Sequence, residues 1–180
     1  MIESIDELNG VFAKLVRDAS GVPLAILANQ GGDRPSGLYA TYNPMPVRAY
    51  GHPRRLRNEV PAVEPVPDFE WTDFEEVTIS NLELLLSLNF FNDGSKNAAT
   101  RMLDCYFRQP IGEYLYHNGI SCREIGPVRN LTGLESAEIQ SRHQVDVHMF
   151  VEISITDTVL RAAGFNVQIE DENGNVLSPP

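Results

Sequence analysis

One stretch constrains this fold more than any other. From residue 137 to 156 the side chains alternate between two characters. Ile139, Ser141, His143, Val145, Val147, Met149, Val151, Ile153 and Ile155 fall on one face, and Gln140, Arg142, Gln144, Asp146, His148, Phe150, Glu152, Ser154 and Thr156 on the other. A period of two belongs to a strand with one buried face, because successive Cβ atoms point to opposite sides of a sheet. An ordinary strand has about 5–6 residues. One this long is expected to bend across a sheet or to project beyond it, and its apolar face needs a covering layer.

The covering layer is legible in three helical patterns. Ser4 with Glu7 three residues on spells a capping box, which satisfies two otherwise orphan backbone donors. Ile5, Leu8, Phe12, Leu15 and Val16 then form one apolar stripe over residues 3–18, and Gly21 followed by Pro23 ends it. Residues 96–108 predict a second helix with Ala99, Met102, Leu103, Tyr106 and Phe107 on its face, and Pro110 opens a short third helix that Asn118-Gly119 stops.

Shorter strands are expected at 22–28, 38–42, 74–80 and 82–91, the last as an apolar run buried on both faces, and over 120–133. Asn173-Gly174 predicts a C-terminal hairpin within 165–180. Residues 43–68 carry six prolines together with Arg48, Arg54, Arg55 and Arg57. Proline removes a ladder donor, so this span reads as an extended, irregular excursion. The sum is an α+β fold: a mixed or antiparallel sheet with an N-terminal helix and a central helical segment packed on it, plus the extended loop and the hairpin. All of it reads as a single domain over residues 1–180.

Charge and composition narrow the function. With 14 Lys+Arg against 25 Asp+Glu the net charge is −11. Such a surface does not grip nucleic acid, since phosphate binding rests on Lys and Arg releasing counterions, and it does not hold an anionic membrane. No apolar run approaches the roughly 18 residues of a membrane span. The acidic start, Met1-Ile2-Glu3-Ser4-Ile5-Asp6-Glu7, lacks the basic and apolar regions of a signal peptide. The expectation is a chain that is soluble and intracellular when made, with Cys105 and Cys122 reduced.

A search for chemistry returns little. Gly31-Gly32 lacks the Lys-Ser/Thr of a phosphate loop, and no Gly-x-Ser-x-Gly elbow occurs. Asp146 and His148 share a strand face, while His143 points the other way; two same-face ligands are too few for a metal. Cys105 with His117 could be called nucleophile and base, but a buried helical thiol is the simpler reading. Glu75-Glu76 and Asp171-Glu172 are strand neighbours and diverge. Phe69, Trp71 and Phe74 fit an interface anchor or a core equally. No catalytic residue, metal or cofactor is called. The interface candidates are Arg48, Arg54, Arg55 and Arg57, which suit salt pairing with an acidic neighbouring subunit, and Arg142, Asp146 and His148 on the polar face of the long strand.

Read whole, one series of residues resembles a known family. A short N-terminal helix leads into Ala28-Asn29-Gln30, Arg34-Pro35 and Gly37-Leu38-Tyr39-Ala40-Thr41-Tyr42; the long strand follows much later, with Gln140-Ser141-Arg142 leading into Val145-Asp146-Val147. This is similar to the neck or tail terminator proteins of tailed bacteriophages. The resemblance implies a non-enzymatic virion protein of the neck, present in the host cytoplasm during assembly. It implies a homo-oligomeric ring, by expectation a hexamer, that ends the tail tube and joins it to the head connector. DNA would pass through the channel without sequence-specific binding, and no membrane is involved. The alternatives are another neck, connector or collar ring protein, a transient assembly chaperone, or a small intracellular α+β enzyme or ligand-binding domain. The enzyme would require His117, His143 and His148 to meet in space.

Overall fold

The computed structural model describes residues 2–31, 33–62, 72–135, 138–160, 169–170 and 176–177, without the side chains of 134–139 and of 161 onward. A 3-10 turn, Ile5–Leu8, runs into α1 (Asn9–Ser20), followed by β1 (Ala25–Leu27), β2 (Tyr39–Pro61) and β3 (Thr72–Phe91). Then come α2 (Ser95–Thr100), a 3-10 turn at Cys105–Phe107, α3 (Gln109–His117), β4 (Ile120–Ile125) and β5 (Arg129–Asn130). Further along lie β6 (Gly133–Glu135), β7 (Glu138–Gln140), β8 (Arg142–Val159), β9 (Ile169–Glu170) and β10 (Val176–Leu177). Among the described residues the main sheet has six strands, in the order β1-β2-β3-β8-β4 with β5 also on β8; β6 pairs with β7 and β9 with β10. It is mixed: β1 lies parallel to β2, whereas β4 and β5 run antiparallel to β8.

The chain divides into two compact units, Met1–Arg54 with Thr78–Ile155, and Arg55–Val77 with Thr156–Pro180. The first holds the main core. Phe12, Leu15 and Val16 of α1, Ala98 and Ala99 of α2, and Ile111 and Leu115 of α3 pack with Leu84, Leu86, Leu88 and Phe90 of β3 and with Val145, Val147, Met149 and Val151 of β8. The second unit holds the ion pairs of Arg55 and Arg57 with Glu76, and the paired strands β9 and β10.

The capping box forms as spelled: the Ser4 hydroxyl accepts from the Asp6 N–H, and the Glu7 carboxylate accepts from the Ser4 N–H at 3.1 Å. Gly21 closes α1 in the left-handed region at φ +80°, its N–H donating to the Arg17 carbonyl. Tyr42 and Tyr114 donate their hydroxyls to the Asn9 and Val11 carbonyls, tying α1 to β2 and α3.

Three expectations are corrected. The excursion at 43–68 is strand as far as Pro61. Ala40 donates its N–H to Leu24, and the Tyr42 carbonyl accepts from Ala28, so even-numbered positions here face β1. β1 ends at Leu27 opposite Tyr42. Pro44 and Pro46 thus come where that edge has run out of partner among the described residues, a setting in which a missing donor is harmless.

Residues 74–80 and 82–91 belong to one strand, β3. Val77 and Ile79 are buried at odd positions, Leu84 and Leu86 at even ones. That change of parity around Asn81 is why the sequence reads as two segments.

The helix expected over 96–108 stops at Thr100 and gives way to a 3-10 turn. Tightening the turn rotates the face: Met102 and Cys105 are buried, while Leu103 and Phe107 are 42% and 75% exposed. Arg108 holds the bend by donating from Nη2 to the carbonyls of Ala19 and Arg101.

β9 and β10 pair antiparallel; the Asn173-Gly174 turn lies outside the described residues. So do Pro65, Pro67, Phe69, Trp71 and the Asp171-Glu172 pair.

Candidate functional site

The helices cover one face of the main sheet, and the opposite face of the first unit carries its charge. Along β8 the alternation sends Val145, Val147, Met149 and Val151 to the helices and Arg142, Gln144, Asp146, His148 and Phe150 to the other side. Along β3, Leu84, Leu86, Leu88 and Phe90 go to the core, and Glu83, Ser87, Asn89 and Phe91 do not.

Glu83 is the centre of this open face. Its side chain is 5% exposed, yet it is ionic on both oxygens: Arg48 Nε donates to Oε2 and Arg123 Nη1 to Oε1, each at 2.7 Å. The hydrogen bond from Arg48, then the charges of Arg48 and Arg123, hold the carboxyl below its usual range against the opposing effect of burial. His148 stands beside it, Nδ1 3.9 Å from Glu83 Oε1 and Nε2 3.9 Å from Glu124 Oε1. Its Nδ1 is buried without a hydrogen-bond partner among the described residues.

A β-bulge builds this corner. Cys122 pairs with Met149 and Glu124 with the next residue, His148, so Arg123 is the extra residue of β4. The bulge lets Arg123 reach Glu83 while Cys122 and Ile125 pack on the core.

A second group continues along the face. Ser87 donates to Asp146 Oδ1 at 2.8 Å, and Gln144 donates to both Ser87 and Asp146. Arg129 Nη1 sits 3.4 Å from Asp146 Oδ2. Arg142 donates from Nε and Nη2 to Asn89 Oδ1, with its guanidinium 5.5 Å from the Phe91 ring centre. Phe91 stacks on Tyr39 at 4.8 Å, and Tyr50 packs on Phe150 at 5.1 Å.

Of the sequence candidates, Arg48, Arg142, Asp146 and His148 therefore lie on this one face. Arg55 and Arg57 pair with Glu76 in the second unit. Arg54 is exposed and has no partner among the described residues. Glu83, Arg123, Glu124 and Arg129 escape the sequence reading. Glu83, Ser87 and Asn89 recur at odd positions inside the run read as apolar on both faces, and that is the available signal. The bulge that brings Arg123 in has none.

The three histidines do not converge. His143 is buried on the helical face with Nδ1 3.0 Å from the Ser95 hydroxyl, His148 lies on the other face of the same strand, and His117 ends α3. Burial raises the Cys105 thiol to about 11, partly offset by Arg108, and Cys122 to about 12. Both are protonated at neutral pH and make poor nucleophiles. Among the described residues no group of three or more His, Cys, Asp and Glu could hold a metal, and no helix is long and apolar enough to cross a membrane.

These features define a class: a small α+β protein with helices on one sheet face and self-paired charges on the other. The chain belongs to the phage neck terminator protein family, whose model matches residues 6–174 of its 180. Membership makes it a structural component of the virion at the phage neck. No curated protein matches it.

Proposed function

We propose that copies of this chain close into a ring at the phage neck, six by expectation, that ends the tail tube, joins it to the head connector and leaves an axial channel for DNA. The observation that carries this reading is the open face of the sheet. It is a strip of ionic and aromatic groups on rigid strands, already paired among themselves, with both thiols protonated. Such a surface complements another protein better than it transforms a small molecule. Contacts between two different surfaces of identical chains are heterologous, and those whose rotation closes make rings. The net charge of −11 supports the channel, because like charge lets a polyanion slide without sticking. Arg48, Arg142, Asp146 and His148 are the proposed contact residues of the sheet face, with Arg54, Arg55 and Arg57 as a second contact.

Sedimentation velocity and negative-stain images of the purified chain test the ring, which should appear as a closed particle several times the 20.1 kDa of one chain, with a central hole. Phage lacking the chain should yield tails of uncontrolled length that fail to join heads. A species that stays monomeric at every concentration, with a turnover activity abolished by replacing one histidine or cysteine, would refute the reading.

A further inference from the structure

Resting on the ring reading, the structure also points to which surfaces meet. The arginines of residues 48–57 are not equivalent. Arg48 is bound to Glu83, and Arg55 and Arg57 share Glu76. Arg54 is left exposed without a partner among the described residues. One guanidinium is too little to hold a polyanion, whose affinity grows with the number of phosphates neutralised. It is enough to anchor a protein contact that offers a carboxylate over an apolar floor, because arginine lays its methylene stem on apolar surface and forks its head onto carboxylate oxygens.

The first unit holds such a place. A groove of about 410 Å³ is lined by Ile2, Leu8 and Val11, with Glu7, His117 and Glu152 around it. Its walls are fixed. Ser154 donates its N–H to the Ile2 carbonyl at 2.9 Å, holding the N-terminal residues along β8. Glu7 accepts at Oε1 from the N–H groups of Ser4 and Glu3, which leaves Oε2 available among the described residues. Glu152 is exposed and has no side-chain partner among the described residues. An apolar floor with one whole carboxylate and one spare carboxylate oxygen complements a lone arginine in charge and in polarity.

We infer that Arg54 of one copy docks in the Glu7–Glu152 groove of a second copy. The donor and the acceptor are different surfaces, so the contact is heterologous and propagates around a ring.

The test uses the full chain with R54E, with E152R, with both changes together, and with an equimolar mixture of the two single variants. All are measured by sedimentation velocity at one fixed concentration. The wild type should multimerise. Each single variant should dissociate, with an apparent dissociation constant raised at least about tenfold, as for desolvated interfacial charge pairs. The double variant should reassemble. The mixture should too, because in an alternating ring each R54E copy offers its new carboxylate to the reversed groove of an E152R copy, and each E152R copy offers its native Arg54 to the native groove of an R54E copy. Far-ultraviolet circular dichroism spectra of the single variants should match the wild type, since both side chains are exposed; melting temperatures are not the control here, because dissociation alone lowers them. A multimeric wild type whose single variants assemble normally overturns this inference alone and leaves the ring standing; a groove serving a different neck protein would give that result. Reassembly of the double variant without reassembly of the mixture also overturns it, because the contact would then lie within one chain. A monomeric wild type refutes the ring and this contact together.

Discussion

Met149 and His148 are neighbours on β8 with opposite fates, and truncating each to alanine tests the division of the sheet into a core face and an open face. Met149 is 1% exposed and packs in the main core. Met149→Ala removes three heavy atoms whose transfer to the interior is worth roughly 2 kcal/mol. At about 24 cal/mol per Å³, a residual void of roughly 50 Å³ adds a little over 1 kcal/mol. The total, about 3 kcal/mol, is a large part of the roughly 5–15 kcal/mol that keeps a domain folded. It should lower the midpoint of thermal unfolding by about 6–12 °C for a chain of this size. His148→Ala removes an imidazole that is 30% exposed at the side chain and makes two 3.9 Å approaches to carboxylates. It also removes a buried ring nitrogen that has no hydrogen-bond partner among the described residues. Loss of two long contacts to carboxylates and relief of an unmet polar group oppose each other, so the net change should lie within about 1 kcal/mol. Urea unfolding followed by circular dichroism, at a single chain concentration because assembly shifts apparent stability, gives both numbers. A larger loss in the histidine variant than in the methionine variant would mean that the two faces are assigned the wrong way round.

Three further outcomes are expected. Glu83 has its folded-state pKa below the ordinary 4.5, chiefly through the Arg48 hydrogen bond; its stabilisation is therefore present above the unfolded value and lost as pH falls through the folded one. Glu83→Gln should accordingly be less stable than the wild type at about pH 7, and the gap should narrow in urea titrations taken below the ordinary carboxylate value of roughly 4.5; a gap unchanged down to about pH 3 would contradict the assigned coupling. Cys105, its thiol pushed up to about 11 by burial, should resist a thiol reagent at about pH 8 until the chain is unfolded; rapid labelling in the native state would count against the packing described. Gly21 sits at φ +80°, where an added Cβ would also come within 2.8 Å of Arg101 Nη1. The arginine tip can move but the backbone strain cannot be relieved, so Gly21→Ala should lose about 1 kcal/mol by thermal melts, and an unchanged melt would argue against the left-handed cap.

Residues 1–23 and 137–156 show how much of the fold is written locally. A capping box, an apolar stripe of helical period and a closing glycine specify α1 through interactions between residues three and four apart. Strict alternation specifies β8 and its two faces through the pleat alone. For that reason the α+β class could be read in advance, and Arg142, Asp146 and His148 could be assigned to the correct strand face. Local pattern misleads where a neighbour in space decides. Pro44 and Pro46 read as a broken ladder, yet they are tolerated because β1 stops at Leu27 and leaves that edge without a partner among the described residues. Glu83 looks like an interruption in an apolar run until Arg48, 35 residues earlier, and Arg123, 40 later, close on it.

The order of amino acids is enough to specify the set of elements, their faces and the acidic surface, since these depend on side-chain period and net charge. Which charges neutralise one another emerges in the folded arrangement. Ion pairing depends on distance and burial, and both are set by sheet order and by a one-residue bulge at Arg123. Among the described residues, that pairing satisfies Arg48, Arg55, Arg57 and Glu83 and passes over Arg54 and Glu152.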